Sequence, residues 1–239
     1  MQPLPIDAVL PDIMAALVLR PNAVVVAPPG AGKTTRVAPA ILDQPWCRGA
    51  VWLLSPRRLA ARGAAERIAE ELGETVGGAV GYATRLDSKQ SAATRLLVMT
   101  PGLFRNRILA DPELRGVSAV LFDEVHERSL DNDLALAFAL DAAAALRPDL
   151  RILAMSATMD GARFGDLMGH PPEIVSEGKA WPLTIDHAGR DSAARIERQM
   201  AAAIRRAMAN HDGSLLAFLP GVAEIERTAE ALGALPGNV

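Results

Sequence analysis

The sequence predicts an α/β fold: a parallel sheet with helices on both faces. Three observations carry this expectation. Between residues 6 and 158, short apolar runs alternate with stripes at helical spacing. The run Ala23-Val24-Val25-Val26 feeds straight into Ala27-Pro28-Pro29-Gly30-Ala31-Gly32-Lys33-Thr34-Thr35, a Gly-rich turn ending in Gly-Lys-Thr. Four further apolar runs also end in short polar groups, as strands do when their loops share one sheet edge.

The bulk properties suit such a fold. The chain has 239 residues, half of them hydrophobic and 22% charged, enough for a sizeable core in one large domain or one domain plus part of another. Only 4% are aromatic, so the core should be aliphatic with closely packed helices. Cys47 is the single cysteine, which excludes an internal disulfide and suggests a reducing compartment. The histidines at 126, 170, 187 and 211 lack metal-ligand spacing, so no zinc site is expected. No apolar run is long enough to span a bilayer, and the first residues do not read as a signal peptide. The net charge of −3 gives no global basic field, but a local groove can still hold a nucleic-acid backbone.

The elements follow in order. Ile6, Val9, Leu10, Ile13 and Leu17 predict a short helix packed on the sheet edge, with no further role. After the first strand and its loop, residues 35–42 continue a helix that Pro39 should kink or loosen. Ala50–Leu54 reads as a buried strand, ending in Ser55-Pro56-Arg57-Arg58. Ala61, Ala65, Ile68 and Leu72 form one helical stripe, stopped by Gly73. Residues 79–85 and 96–100 read as strands, and Pro101-Gly102 opens a helix. Ala119–Phe122 is a strand running into Asp123-Glu124-Val125-His126. A helix over Asp131–Leu146 ends before Pro148, and Arg151–Met155 is a strand running into Ser156-Ala157-Thr158. Near 180 the pattern changes, with Gly178, Pro182 and Gly189 interrupting it. The expected organisation is a domain over 1–180, a linker over 181–191, and the incomplete start of a second domain over 192–239. In that second part Ile196, Met200, Ile204 and Met208 predict a helix facing a core, Leu215–Leu219 a strand, and Ile225, Ala229 and Leu232 another helix.

The chemistry sits where strands end. Glycines at 30 and 32 allow a sharp turn whose N–H groups converge on an anion, and the following helix adds its positive dipole end. Lys33 would reach the β- and γ-phosphates of a nucleotide and the Thr34 hydroxyl would hold Mg²⁺. The first glycine usual in such loops is replaced by Ala27. Asp123-Glu124 supplies two carboxylates for a Mg²⁺-dependent phosphate hydrolase: one for the metal, the other to orient and deprotonate water.

At these residues the sequence resembles the DEAH-box helicases. Asp123-Glu124-Val125-His126-Glu127-Arg128-Ser129 is similar to the DEAH signature, with Val125 in place of the usual alanine. Gly30–Thr35 with Pro39 resembles motif I, Ser55–Ala61 motif Ia, Thr100–Gly102 motif Ib, Ser156–Thr158 motif III and Leu216–Gly221 motif IV. Gly81-Tyr82 followed by Arg85 also fits the family pattern. The resemblance implies a RecA-like fold and an ATP-dependent RNA helicase of superfamily 2, using ATP and Mg²⁺ in the bacterial cytoplasm. It implies that Ala27–Thr35 hold the nucleotide, that Thr34, Asp123 and Glu124 serve the metal, and that Glu124 activates water. His126, Ser156 and Thr158 would couple nucleotide state to strand movement. Arg57, Arg58, Arg85 and Thr100 would meet single-stranded RNA or a duplex with a single-stranded overhang. Nothing after 221 resembles the arginine-bearing motif VI, so the chain is expected to be the N-terminal portion of a longer helicase, slow in hydrolysis by itself. Two rivals remain open at this point: a DNA translocase, and a nucleic-acid-binding module without ATPase activity, the latter suggested by Ala27.

Overall fold

The computed structural model describes residues 3–158, 162–178 and 182–233; of residues 162–164 only the backbone is described. The chain divides into two compact units, Met1–Ala180 and Trp181–Val239. Among the described residues no helix is long and apolar enough to cross a membrane.

The first unit is built on an eight-stranded sheet. Its strands are β1 (Asn22–Val26), β2 (Ala50–Leu54), β3 (Val80–Ala83), β4 (Ser88–Lys89), β5 (Leu96–Met99), β6 (Val117–Phe122), β7 (Arg151–Ser156) and β8 (Glu173–Val175), in the spatial order β4-β3-β5-β2-β6-β7-β1-β8. All neighbours pair parallel except β3 and β4, which form an antiparallel hairpin. The central strands are apolar because both their faces are covered. Alternation along β1 shows it directly: Val25 belongs to one core layer and Val24 and Val26 to the other.

The helices sort onto those layers. α1 (Leu10–Leu19), α2 (Lys33–Leu42) and α3 (Arg58–Glu71) place Ile13, Leu17, Val37, Ile41, Ala65 and Ile68 against the first layer. α4 (Pro101–Ala110) and α5 (Leu130–Ala145) place Phe104, Ile108, Leu136 and Ala139 against the second. The predicted first helix begins as a 3₁₀ turn over Pro5–Val9 and becomes α-helical from Leu10. α2 runs through Pro39, which it tolerates as a ten-residue helix. Gly73 ends α3 in the left-handed region, as expected. α6 (Ala162–Leu167) leads to β8.

Two expectations are corrected in the second unit. Its described elements are α7 (Ile196–Asn210) and α8 (Val222–Leu232), tied by Arg227 to Glu197 at 3.2 Å and by Arg205 to the Ala231 carbonyl at 2.6 Å. Residues 215–219, expected as a strand, form none, and Phe218 is 81% exposed. A strand needs a neighbour to take its backbone hydrogen bonds, and the described residues of this unit offer none. The stripe on α7 is likewise only part-covered: Ile204 is buried, but Met208 is exposed, because two helices make no full core. Residue 181 of the expected linker and residues 234–239 of the expected second domain lie outside the described residues.

The register aligns the site. Ala83, Met99, Leu54, Phe122 and Ala154 lie across from one another. Two residues further along each chain stand Arg85, Pro101, Pro56, Glu124 and Ser156, and Ser156 pairs with Val26 at the mouth of the glycine loop. Phe122 is buried and meets Phe104 edge-to-face at 6.0 Å, fixing the end of β6 just before Asp123. Phe122→Ala should cost about 3–5 kcal/mol by chemical denaturation, whereas Phe122→Leu should recover most of that loss.

Candidate nucleotide site and nucleic-acid groove

The glycine loop is a continuation of β1. Ala27 is buried, and its N–H donates to the Ser156 carbonyl at 3.0 Å, extending the β1–β7 ladder. Its backbone is not in the left-handed region, so the position does not require the glycine that is missing there. Gly30 and Gly32 are the residues with φ of +76° and +96°. Pro28 closes the turn by accepting from Ala31 N–H at 3.2 Å. The first bond of α2 runs from Arg36 N–H to the Gly32 carbonyl, so the N–H groups of Lys33, Thr34 and Thr35 open toward an anion. Lys33 is buried, with Nζ donating to the carbonyls of Ala27 at 2.5 Å and Pro28 at 3.2 Å.

The carboxylates meet this loop. β1 and β6 are separated only by β7, roughly 10 Å at sheet spacing, and the first turn of α2 closes that gap. Thr34 Oγ1 donates to Asp123 Oδ2 at 2.7 Å. Asp123 is 3% exposed. Burial pushes its carboxyl up to about 6; the Thr34 hydroxyl, the Lys33 ammonium and the Glu124 N–H oppose the rise, and the Glu124 charge adds to it. Glu124 sits in the left-handed region at φ +51°, a strained conformation for a residue other than glycine. Its Oε2 is buried without a hydrogen-bond partner. A buried carboxylate oxygen left open in this way suits a polar guest such as water.

The two carboxylates and the hydroxyl fit Mg²⁺. That ion is usually held by one or two carboxylates together with substrate phosphates and water, not by an all-protein cage. Thr34 and Asp123 would hold it at the open end of the glycine loop.

His126 links this centre to the next strand. Its Nδ1 accepts from Ala157 N–H at 3.2 Å and lies 3.3 Å from Glu124 Oε2. As an acceptor toward Ala157, that nitrogen has no proton to give the carboxylate, which accounts for the open oxygen. Ser156 Oγ donates to the Thr158 carbonyl and accepts from Thr158 N–H, folding residues 156–158 into a tight turn. Val125 is buried beside α5, where its branched side chain fills the second core layer.

A groove of about 860 Å³ lies further along the same edge, lined by Arg58, Arg85, Thr100, Gly102, Arg105 and Asn106 among others. Arg85 is held at the tip of a turn. Thr84 N–H and Oγ1 both donate to the Asp87 carbonyl, and Tyr82 Oη donates to the Asp87 carboxylate at 2.6 Å. Arg57 does not line this groove. It pairs with Glu127 at 2.9 Å and lines the opening beside Thr34 and Asp123. The neighbours separate because Arg57 is the extended residue before α3 and Arg58 its first helical residue. Two residues unremarked in the sequence, Arg67 and Glu71, line the mouth of the glycine loop with Gly32, Lys33 and Thr34. Their four-residue spacing on α3 was the available signal, and the structure pairs them at 3.0 Å.

A family model described as DEAD/DEAH box helicase matches residues 8–166. The chain belongs to this family. Among curated DEAD/DEAH helicases, the chain is 43% identical to the Escherichia coli ATP-dependent RNA helicase HrpB over 238 residues, all of this chain and 29% of that protein. It is 30% identical to the probable ATP-dependent RNA helicase DHR2 of Saccharomyces cerevisiae, over 90% of this chain and 30% of that one. The crystal structure of the E. coli DEAH/RHA helicase HrpB superposes with a TM-score of 0.90 at 44% identity, covering 96% of this chain and 29% of that chain. The chain therefore spans under a third of the length of these relatives.

The burial of Asp123 has a pH signature. A carboxyl at about 6 when folded and near 3.8 when unfolded binds more protons in the folded state between those values. Stability therefore falls as pH rises from about 4 to about 6 and stays lowered above. In metal-free buffer, Asp123→Asn should gain on the order of 1–3 kcal/mol over the parent chain at pH 8 and gain little at pH 4, measured by denaturant titration across pH.

Proposed function

We propose that this chain is the nucleotide-binding portion of an ATP-dependent RNA helicase acting in the bacterial cytoplasm. Residues 1–180 are then its first RecA-like domain, and 192–239 the start of a second. The observation that carries the reading is the 2.7 Å bond from Thr34 to Asp123, which joins the glycine loop and the carboxylates into one site. The family membership, with relatives named as ATP-dependent RNA helicases, supports it.

In this reading the N–H groups at the start of α2 receive the nucleotide phosphates, and Lys33 leaves the Ala27 and Pro28 carbonyls to reach the β- and γ-phosphates. Thr34 and Asp123 would hold Mg²⁺, which would supply positive charge against the phosphates. Glu124 holds the attacking water and takes its proton on the open Oε2. His126, bonded to Ala157 N–H, passes the state of this centre to the 156–158 turn. Arg58, Arg85 and Thr100 hold the phosphates of single-stranded RNA, either free or as the overhang of a duplex; such contacts carry no sequence information. Discrimination between RNA and DNA rests on the sugar, and the groove accepts either backbone in principle.

The chain should bind Mg·ATP, and Lys33→Ala should weaken binding at least tenfold, read by calorimetry. Glu124→Gln should keep binding within about threefold and lower single-turnover hydrolysis at least a hundredfold; unchanged hydrolysis would remove Glu124 from its role. Arg58→Ala and Arg85→Ala should each weaken binding of a single-stranded RNA and reduce the slope of log affinity against log salt by about 0.7.

A further inference from the structure

We infer that the segment Leu4–Val9 is a working wall of the nucleotide site, holding one peptide of the glycine loop in its phosphate-binding orientation. This rests on the nucleotide reading given above. The segment is anchored at two points and closed on itself at a third. Ile6 is fully buried in the first core layer. The Pro5 carbonyl accepts from Ser176 Oγ at 3.0 Å, and Ser176 N–H itself donates to the Val26 carbonyl, at the entrance to the loop. Leu4 N–H donates to Asp7 at 2.8 Å, which closes the 3₁₀ turn on itself.

From that anchored turn, Ile6 N–H donates to the Ala31 carbonyl at 3.0 Å. The oxygen and hydrogen of a trans peptide point to opposite sides. Fixing the Ala31 carbonyl toward Ile6 therefore turns Gly32 N–H away from the segment. Gly32 N–H donates to no protein atom among the described residues, so it stands with those of Lys33, Thr34 and Thr35 as a donor for phosphate. The contact is close as well as polar. A side-chain carbon on Gly32 would lie 2.7 Å from Leu4 Cδ1 and 3.1 Å from Ile6 Cγ2. Leu4 also lines the phosphate mouth beside Gly30, Lys33 and Thr34. Without the Ile6 bond the Ala31–Gly32 peptide is free to rotate and present a carbonyl to the phosphates, replacing attraction by repulsion.

The test removes that N–H. An ester in place of the Pro5–Ile6 amide leaves every side chain intact, also weakens the Pro5 carbonyl as an acceptor for Ser176 Oγ, an effect that Ser176→Ala measures separately, and is accessible by joining a synthetic 1–46 segment to residues 47–239 at Cys47. Binding of Mg·ADP is measured by calorimetry, with thermal melting in parallel, for the parent, the ester chain, Ile6→Val and Lys33→Ala. The ester should weaken Mg·ADP binding about tenfold, whereas Ile6→Val, which disturbs packing but keeps the N–H, should leave affinity within about twofold. An ester chain that melts earlier yet binds Mg·ADP like the parent overturns the inference, since the segment is then only structural. Parent binding that is absent, or unaffected by Lys33→Ala, overturns the nucleotide reading and the inference with it. Should the ester chain not fold, Ser176→Ala loosens the same segment from outside the loop; about threefold weaker binding is expected, and unchanged affinity overturns the inference.

Discussion

The carboxylate of Asp123, buried at the end of β6 and receiving the Thr34 hydroxyl, is the constraint on which the rest depends. A carboxyl so desolvated is costly when ionised, and its raised pKa measures that cost. Folding alone would favour an apolar residue there. The strain is local and repeated: Glu124 and Arg128 both hold positive φ within six residues of one another. Above about pH 6 the ionised carboxylate therefore lowers the stability of the fold.

The sheet makes this arrangement rigid. Parallel strands in register bring five loops to one edge, and covering helices exclude water from both faces. Contacts then link the glycine loop, the loop after β6 and the turn after β7. Thr34 meets Asp123, Glu124 faces His126, and His126 receives Ala157 N–H. On the far side, α3 carries Arg67 at the phosphate mouth, while its Arg62 stacks over Tyr82 at the base of the Arg85 turn. One helix thus touches both the phosphate mouth and the groove.

Most of this was legible in the sequence, for a physical reason. Buried strands need continuous apolar runs, and β1, β2, β5, β6 and β7 carry them. β4 and β8 were missed because edge strands are short and part-exposed; Ser88-Lys89 has no apolar residue, and Glu173–Val175 has only two, too few to read as a run. The opposite error occurred at 215–219, where an apolar run finds no partner strand among the described residues. In the site, the meeting of Thr34 with Asp123 followed from topology. The divergence of Arg57 and Arg58 did not, because it depends on where α3 begins. Nor did the contact of Ile6 with Ala31, since a backbone bond leaves no trace in residue type. Ala27 looked like a defect in the glycine loop, and its backbone, which is not in the left-handed region, removes the objection.

A double-variant cycle on Mg²⁺-dependent ADP binding tests the joint site most directly. Thr34→Ala and Asp123→Asn should each weaken binding, and the double variant should bind within about twofold of the weaker single variant, because both remove one shared interaction. If the two losses instead multiply, Thr34 and Asp123 act independently, and the single site described at this sheet edge is wrong.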